Sequence, residues 1–223
     1  MEIMDLGLTG YEKALEIQHE LLEKRIHGCI PDTLVITEHY PVVTMGRISP
    51  DSGVDQKYFD SMNIPVLLAG RGGKGTYHSP GQLVMYPIMD LKRTKKDVSL
   101  YIDFLEKTTL GSLRVLGVPA MRDTRRRGVW CNGRKIAFTG IAVRRWVTFH
   151  GVSVNINNDI EPFLHMLPCG EKDIEVTSVK EVIGHDAEMV RVKKIFAERF
   201  ISDMEREYSR GSVVNIQDKI ECR

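Results

Sequence analysis

The sequence predicts an α/β domain built on a mixed sheet (α+β). Three observations carry this. Helix-like and strand-like stretches alternate along the chain. Two strand candidates near the middle are separated only by Arg144-Arg145-Trp146, as in a hairpin. The chain has 223 residues, 42% of them hydrophobic, enough for a full core without disulfide or metal staples.

The elements follow in order. Thr9 to about His27 carries Leu15, Leu21, Leu22 and Ile26 at helical spacing. Thr9 with Glu12 reads as a capping box, and Pro31 stops the helix. Thr33–Thr37 and Pro41–Met45 read as strands on either side of the polar break Glu38-His39-Tyr40. Asp55–Met62 is a short helix; Ile64–Leu68 and Gln82–Met89 are strands. Ser99–Leu116 is a long amphipathic helix closed by Gly117 and Pro119. Val129–Cys131 is a short strand, Lys135–Val143 and Val147–Ile156 form the hairpin, and Ala187–Tyr208 is a final long helix.

The charge sum is 31 − 30 = +1, which argues against a nucleic-acid coat or an acidic disordered chain. Basic residues nevertheless cluster at Lys92-Arg93, Lys95-Lys96, Arg122, Arg125-Arg126-Arg127, Arg134 and Arg144-Arg145. Such clusters could steer acidic protein partners; without interleaved aromatics they suit nucleic acid less well. The N-terminus Met1-Glu2-Ile3-Met4-Asp5-Leu6 lacks a basic region and an apolar run, so no signal peptide is expected. No stretch approaches a membrane span. Without repeats or a Pro/Ser linker, one continuous domain over 1–223 is the simplest organisation. The four cysteines, Cys29, Cys131, Cys169 and Cys222, form no CxxC pair and suit a reduced, cytoplasmic protein.

The most unusual stretch runs Gly70-Arg71-Gly72-Gly73-Lys74-Gly75-Thr76-Tyr77-His78-Ser79-Pro80-Gly81-Gln82. It is neither a dinucleotide fingerprint, because Pro80-Gly81 turns the chain where a helix should open, nor a Walker A loop, because Gly75 follows Lys74. Its glycines allow backbone to approach a ligand closely, with Arg71, Tyr77, His78 and Gln82 adding polar contacts. Cys169 sits in Leu167-Pro168-Cys169-Gly170, a tight turn suited to a positioned nucleophile. Lys135 enters an apolar strand face with Ala137, Thr139 and Ile141. It is either a snorkelling stem or a desolvated base, and a Cys–Lys pair is chemically sensible. Among the histidines, His78 is the functional candidate; His150 reads as a hydrogen-bonded core residue. No His/Cys/Asp spacing suggests a metal.

These residues, taken together, resemble a known family. Arg71-Gly72-Gly73 with Thr76-Tyr77-His78 and Pro80-Gly81-Gln82, then Gly133-x-Lys135-Ile136-Ala137, Phe149-His150-Gly151, Asn155-Ile156-Asn157, Pro168-Cys169-Gly170 and Thr177-Ser178 look like the lipoyl(octanoyl) transferases. Pro31-Asp32-Thr33-Leu34 and Glu38-His39 resemble the family's early strand pair. The resemblance implies a fold like the biotin/lipoate protein ligase catalytic domain, with a core over about 7–208 and a tail, 209–223, of no assigned role. It implies an acyltransferase that moves an octanoyl group from acyl carrier protein to a lysine of a lipoyl domain, in the first step of lipoate assembly. Lipoyl domains of 2-oxoacid dehydrogenase complexes, or the glycine cleavage H protein, would be acceptors. No cofactor, metal, nucleic acid or membrane is implied.

Carried over by motif, Cys169 would form the acyl thioester and Lys135 would serve the thiol and the incoming lysine. Arg71, Gly72, Gly73, Lys74, Gly75, Thr76, Tyr77 and His78 would line the substrate pocket. So would Phe138, Thr139 and Gly140, with Gly151, Val152 and Ser153. Ser79 stands where the family commonly has glycine, and Phe138-Thr139 is bulkier than its usual small pair, which would narrow the pocket. The alternatives are an ATP-dependent lipoate- or biotin-type ligase on the same fold and a non-catalytic acyl-binding module.

Overall fold

Strands buried along their whole length need cover on both faces, and that requirement organises the chain. The computed structural model describes residues 1–47, 53–93, 96–123, 125–166 and 174–208. Within it β1 (Glu2–Thr9), β2 (Thr33–His39), β6 (Gln82–Ile88), β7 (Ala120–Arg122), β8 (Val129–Cys131), β9 (Arg134–Arg144) and β10 (Val147–Asn155) form one sheet, ordered β1-β2-β6-β10-β9-β8-β7. β1 runs parallel to β2; every other neighbouring pair is antiparallel. β6 and β10 are buried at every position and lie at the centre. A smaller sheet, ordered β4-β3-β5, is built from β3 (Val42–Met45), β4 (Val66–Leu68) and β5 (Gly75–His78).

Helices α3 (Val98–Val115) and α5 (Met189–Tyr208) cover one face of the large sheet. Phe104, Leu105, Phe196 and Phe200 pack there with Leu34, Met85, Ile136 and Val152. Asp97 caps α3 by accepting from the Ser99 and Leu100 amides. α1 (Tyr11–Ile26) covers the other face, where Leu21 and Leu22 meet Val35, Val84, Tyr86 and Phe149. The small sheet lies beside it, with Phe59 of α2 (Gln56–Ser61) in a cluster with Val43, Tyr77, Phe138 and Phe163.

One break in the central ladder shapes the rest. Pro87 of β6 cannot donate to a neighbouring strand. The β6–β10 pairing covers Val152–Asn155 and resumes only at an isolated bridge between Asp90 and Val147. Between these, His150 takes a left-handed backbone, φ 56°, and its N–H donates to Gln18 Oε1 of α1 at 2.8 Å. Gly151 then passes so close to β6 that a Cβ would lie 2.1 Å from the Met85 carbonyl.

Several expectations are corrected. Thr9 is not a helix cap: it ends β1, its hydroxyl donates to the Leu6 carbonyl, and Gly10 stands at the cap position. β1 escaped notice because it is a half-exposed edge strand without clean alternation. The strands flanking Glu38-His39-Tyr40 belong to different sheets, and the polar break is the crossing point. β5 sits inside the glycine-rich stretch, and β7 and α4 (Val179–Ile183) are further elements. α4 did carry a legible signal, since Ser178 Oγ accepts from the Glu181 amide. Cys131 is a buried free thiol, whereas Cys29 is not free, against the expectation of reduced cysteines at that position. Among the described residues, no helix is long and apolar enough to cross a membrane.

The start of β2 is tied to its neighbours through one carboxylate. Asp32 Oδ1 accepts from Arg25 Nε at 2.6 Å and from the Asp90 amide at 2.9 Å, with Arg25 itself buried. Asp32→Ala leaves Arg25 only the longer ion pair with Asp90 Oδ2, at 3.9 Å, and frees the Asp90 amide, and is expected to cost about 2–3 kcal/mol. Asp32→Asn, which retains an acceptor, should cost less. Urea unfolding midpoints at unchanged m-value check both.

Candidate functional site

The glycine-rich segment folds as a loop held from within by its own arginine. Arg71 is buried, and its Nη1 donates to the Lys74 carbonyl at 2.7 Å and the Gly72 carbonyl at 3.1 Å. Its Nη2 donates to the Thr44 carbonyl at 2.6 Å and to Thr44 Oγ1 at 2.9 Å. The loop then docks on β9, where the Gly72 amide donates to the Ile141 carbonyl at 2.8 Å. The glycines serve backbone-to-backbone contact as well as any ligand. A Cβ on Gly46 would lie 2.2 Å from the Gly73 carbonyl, and one on Gly140 would lie 3.0 Å from the Gly72 carbonyl.

Between the loop and the β9–β10 pair lies a cavity of about 50 Å³. Arg71, Gly73, Lys74, Gly75, Thr76 and His78 line it from the loop and β5. Phe138, Thr139 and Gly140 line it from β9, and Gly151, Val152 and Ser153 from β10. Three stretches far apart in sequence thus meet at one site. Gly72 and Tyr77 are not among its lining residues. Gly72 is the docking point on Ile141, and Tyr77 packs into the Phe59–Phe163 cluster. Tyr11, Val84, Tyr86 and His150 complete the wall. Sequence reasoning missed these four because helix and strand periodicity place them in the core.

The cavity backs onto a cluster of buried rings. His78 stacks on Tyr11 at 6.0 Å and meets His39 edge-on at 5.6 Å; His39 bonds Tyr86 Oη at 2.7 Å. Partners on either side assign the tautomers. His39 Nδ1 donates to the Thr9 carbonyl, so its Nε2 accepts from Tyr86. His78 Nδ1 donates to Gln82 Oε1 at 2.7 Å, so its Nε2 accepts from Thr44 Oγ1 at 3.3 Å. Burial pushes the His39 pKa down to about 4 and, with Arg71 adding to it, that of His150 to about 3. Burial, with His39 next to it, holds His78 well below the ordinary imidazole value. Burial raises Tyr11 to about 12 despite Arg71. All three imidazoles are therefore neutral at pH 7. His150 was expected to be a hydrogen-bonded core residue; it is buried, but neither ring nitrogen has a partner among the described residues.

From His78 the polar chain continues to Lys135. Gln82 Nε2 donates to Asn155 Oδ1 at 2.9 Å, Asn155 Nδ2 to the Thr177 carbonyl at 3.0 Å, and the Thr177 amide to the Lys135 carbonyl at 2.9 Å. The Lys135 amide donates in turn to the Glu175 carbonyl at 2.8 Å. Lys135 is only 3% exposed. Its Nζ lies 5.1 Å from the Phe138 ring and 5.3 Å from the Trp130 ring, within cation–π range of both. Arg126 lies over the Trp130 ring at 4.1 Å. The snorkelling alternative for Lys135 is thereby corrected, since the amine is enclosed beside the cavity wall. Cys169, with Pro168 and Gly170, lies outside the described residues, as do Cys222 and Lys95.

The basic clusters are largely engaged. Arg122 bridges Asp103 at 2.5 Å and the buried Glu106 at 2.9 Å. Arg127 pairs with Asp103, Arg126 with Asp123, Arg134 with Glu181 and Arg144 with Glu23. Glu106 also accepts from the Gly128 amide at 2.7 Å. These pairs tie the arginine run to neighbouring carboxylates, while Arg125 keeps 89% of its side-chain exposure.

Comparison with known proteins places the chain. A sequence profile of the lipoyl protein ligase A/B catalytic domain matches residues 10–201. The chain is 40% identical over 200 residues to the octanoyltransferase of Geobacter metallireducens, covering 90% of this chain and 92% of that one. It is 33% identical over 223 residues to the octanoyltransferase of Syntrophobacter fumaroxidans, covering 96% and 95%. Among solved structures, the bipartite lipoate protein ligase of Thermoplasma acidophilum superposes with a TM-score of 0.72 at 16% identity, covering 92% of this chain and 83% of that one. Biotin protein ligase of Aquifex aeolicus gives 0.61 at 14% identity, covering 94% and 73%. These likenesses bear out the expected fold.

The buried histidines make stability depend on pH with a defined sign. A base whose folded pKa is lowered lets the unfolded chain take up a proton first, so stability falls as pH drops from about 6.5 towards about 4. Each such group contributes up to about 1.4 kcal/mol per pH unit over that window. His39→Gln should remove one proton's share of the slope, measured by urea unfolding between pH 4.5 and 7.

Proposed function

Because the chain belongs to the lipoyl protein ligase A/B catalytic-domain family and, like its octanoyltransferase relatives, is an acyltransferase of lipoate assembly, we propose a two-step octanoyl transfer through Cys169 and Lys135. The Cys169 thiolate attacks the thioester of octanoyl-acyl carrier protein, and the carrier thiolate leaves. The enzyme is then octanoylated on sulfur. The neutral ε-amine of a lipoyl-domain lysine attacks that thioester; an amide forms, the Cys169 thiolate departs, and the amine's proton passes to a base. A thioester is already activated, so neither step consumes ATP. The same reading sets the reaction in the cytoplasm, with lipoyl domains of 2-oxoacid dehydrogenase complexes or the glycine cleavage H protein as acceptors.

One observation supports this above the others. Lys135 is enclosed between Trp130 and Phe138 beside a narrow, mostly apolar cavity, with its backbone tethered to residues 175–177. An amine so held can take a proton from the thiol or the incoming lysine, or stabilise the thiolate when charged. Phe138 and Val84 offer the acyl chain an apolar wall. Backbone N–H groups would hold the oxyanion.

Octanoyl-acyl carrier protein incubated with the enzyme should leave a hydroxylamine-labile octanoyl adduct on Cys169, visible by intact mass, and transfer should proceed without ATP. Cys169→Ser should lose the adduct and the transfer; wild-type turnover in that variant rejects the assignment. Lys135→Ala should slow acylation by roughly 100-fold or more while unfolding normally.

A further inference from the structure

The cavity wall carries polar atoms that no described residue satisfies. Tyr11 Oη and both ring nitrogens of His150 are buried without a hydrogen-bond partner among the described residues, and both side chains line the cavity. Tyr11 keeps 6% of its exposure and His150 1%. A neutral imidazole carries one N–H donor and one acceptor, and a phenol can both donate and accept. Native proteins do not leave such a set bare; the partner is an ordered water or a polar ligand atom.

The placement of these groups is specific. His150 points here because β10 abandons its alternation at that residue: its left-handed backbone brings its ring within 4.9 Å of its neighbour Phe149 and 6.4 Å from Tyr86. Lys135 Nζ lies 5.1 Å from the ring of Phe138, a lining residue that pairs with Ser153. Ser153 and His150 are three residues apart on β10, a run of about 10 Å of strand. Phe138 and Val84 add apolar surface to a wall that Thr139 and Ser153 share, and Tyr11 and His150 bring the unsatisfied polar atoms to it.

We propose that Tyr11 and His150 form a polar stop that holds ordered water at the far end of the cavity and thereby sets the length of the acyl group. The chain ends where the hydrogen-bonded water begins. A longer chain must expel that water and leave buried donors and acceptors facing a methyl group. This rests on the reading that the cavity takes the acyl chain, with its carbonyl at the Lys135 end.

Two variants and two measurements test it. Tyr11→Phe removes only the hydroxyl, and His150→Phe removes both ring nitrogens while adding one ring carbon. His150→Asn keeps polarity at a left-handed position and serves as the control. The decanoyl-to-octanoyl ratio of kcat/KM should rise about tenfold in His150→Phe and by a smaller factor in Tyr11→Phe, and stay near wild type in His150→Asn. Calorimetric binding of free octanoate and decanoate should show the same change in preference without any turnover. Tyr11→Phe should also lower the melting temperature, because a water-bonded hydroxyl is lost. A ratio unchanged within twofold in folded Tyr11→Phe and His150→Phe overturns the stop, as does a rise in melting temperature on removing the Tyr11 hydroxyl. Should His150→Phe not fold, Tyr11→Phe carries the test alone. A wild type that binds octanoate more tightly than decanoate yet transfers no octanoyl group overturns the proposed reaction and leaves the stop standing.

Discussion

The buried guanidinium of Arg71 holds this site together. It donates to the Gly72 and Lys74 carbonyls of its own loop and to the carbonyl and hydroxyl of Thr44 in β3, so one side chain fixes the loop's shape and joins it to the small sheet. A buried cation is tolerated only when its donors are occupied, and four carbonyl or hydroxyl acceptors do that here. Once the loop is fixed, the Gly72 amide reaches β9, and the cavity exists as the space between them. The same cation lies close enough to hold down the proton affinities of His78 and His150. Removing Arg71 would therefore disturb walls and electrostatics together.

A second constraint lies in the central sheet. An unbroken β6–β10 ladder would alternate residues strictly and send His150 to the α3–α5 face with Val152 and Val154. Pro87 interrupts the ladder, and Gln18 of α1 accepts the His150 N–H. The left-handed backbone that results is costly for a residue with a side chain. It is held by burial on every side, and it carries an imidazole into the cavity wall. Local strain and site geometry thus have one origin.

Much of this was legible in the residues. Periodicity gave the large helices and the β9–β10 hairpin, because each has one face that must be buried and a spacing that shows it. The glycine stretch and Lys135 stood out by residue type. β1 did not, because an edge strand lacks a buried face. Neither did the separation of β2 from β3, since Glu38-His39-Tyr40 reads as a turn and His39 proves to be wholly enclosed against Tyr86. Nor did the pairing of the arginine run 122–127, because sequence cannot show that Asp103 and Glu106, a helix away, face it.

The sequence by itself determined the class of fold, the family resemblance and the residue types able to carry acyl chemistry, because these depend on local pattern and motif order. Tertiary structure decided which of those residues share a cavity. Arg71 became a clamp, Gly72 a docking point and Tyr77 a core ring, while Tyr11 and His150 joined the wall. The physical reason is that a cavity is made by segments that meet across the fold. Gly46 lies against Gly73, Gly140 against Gly72, and Gln18 reaches His150 across 132 residues of chain. Such close approaches depend on sheet register and backbone dihedrals, which no single stretch of sequence encodes.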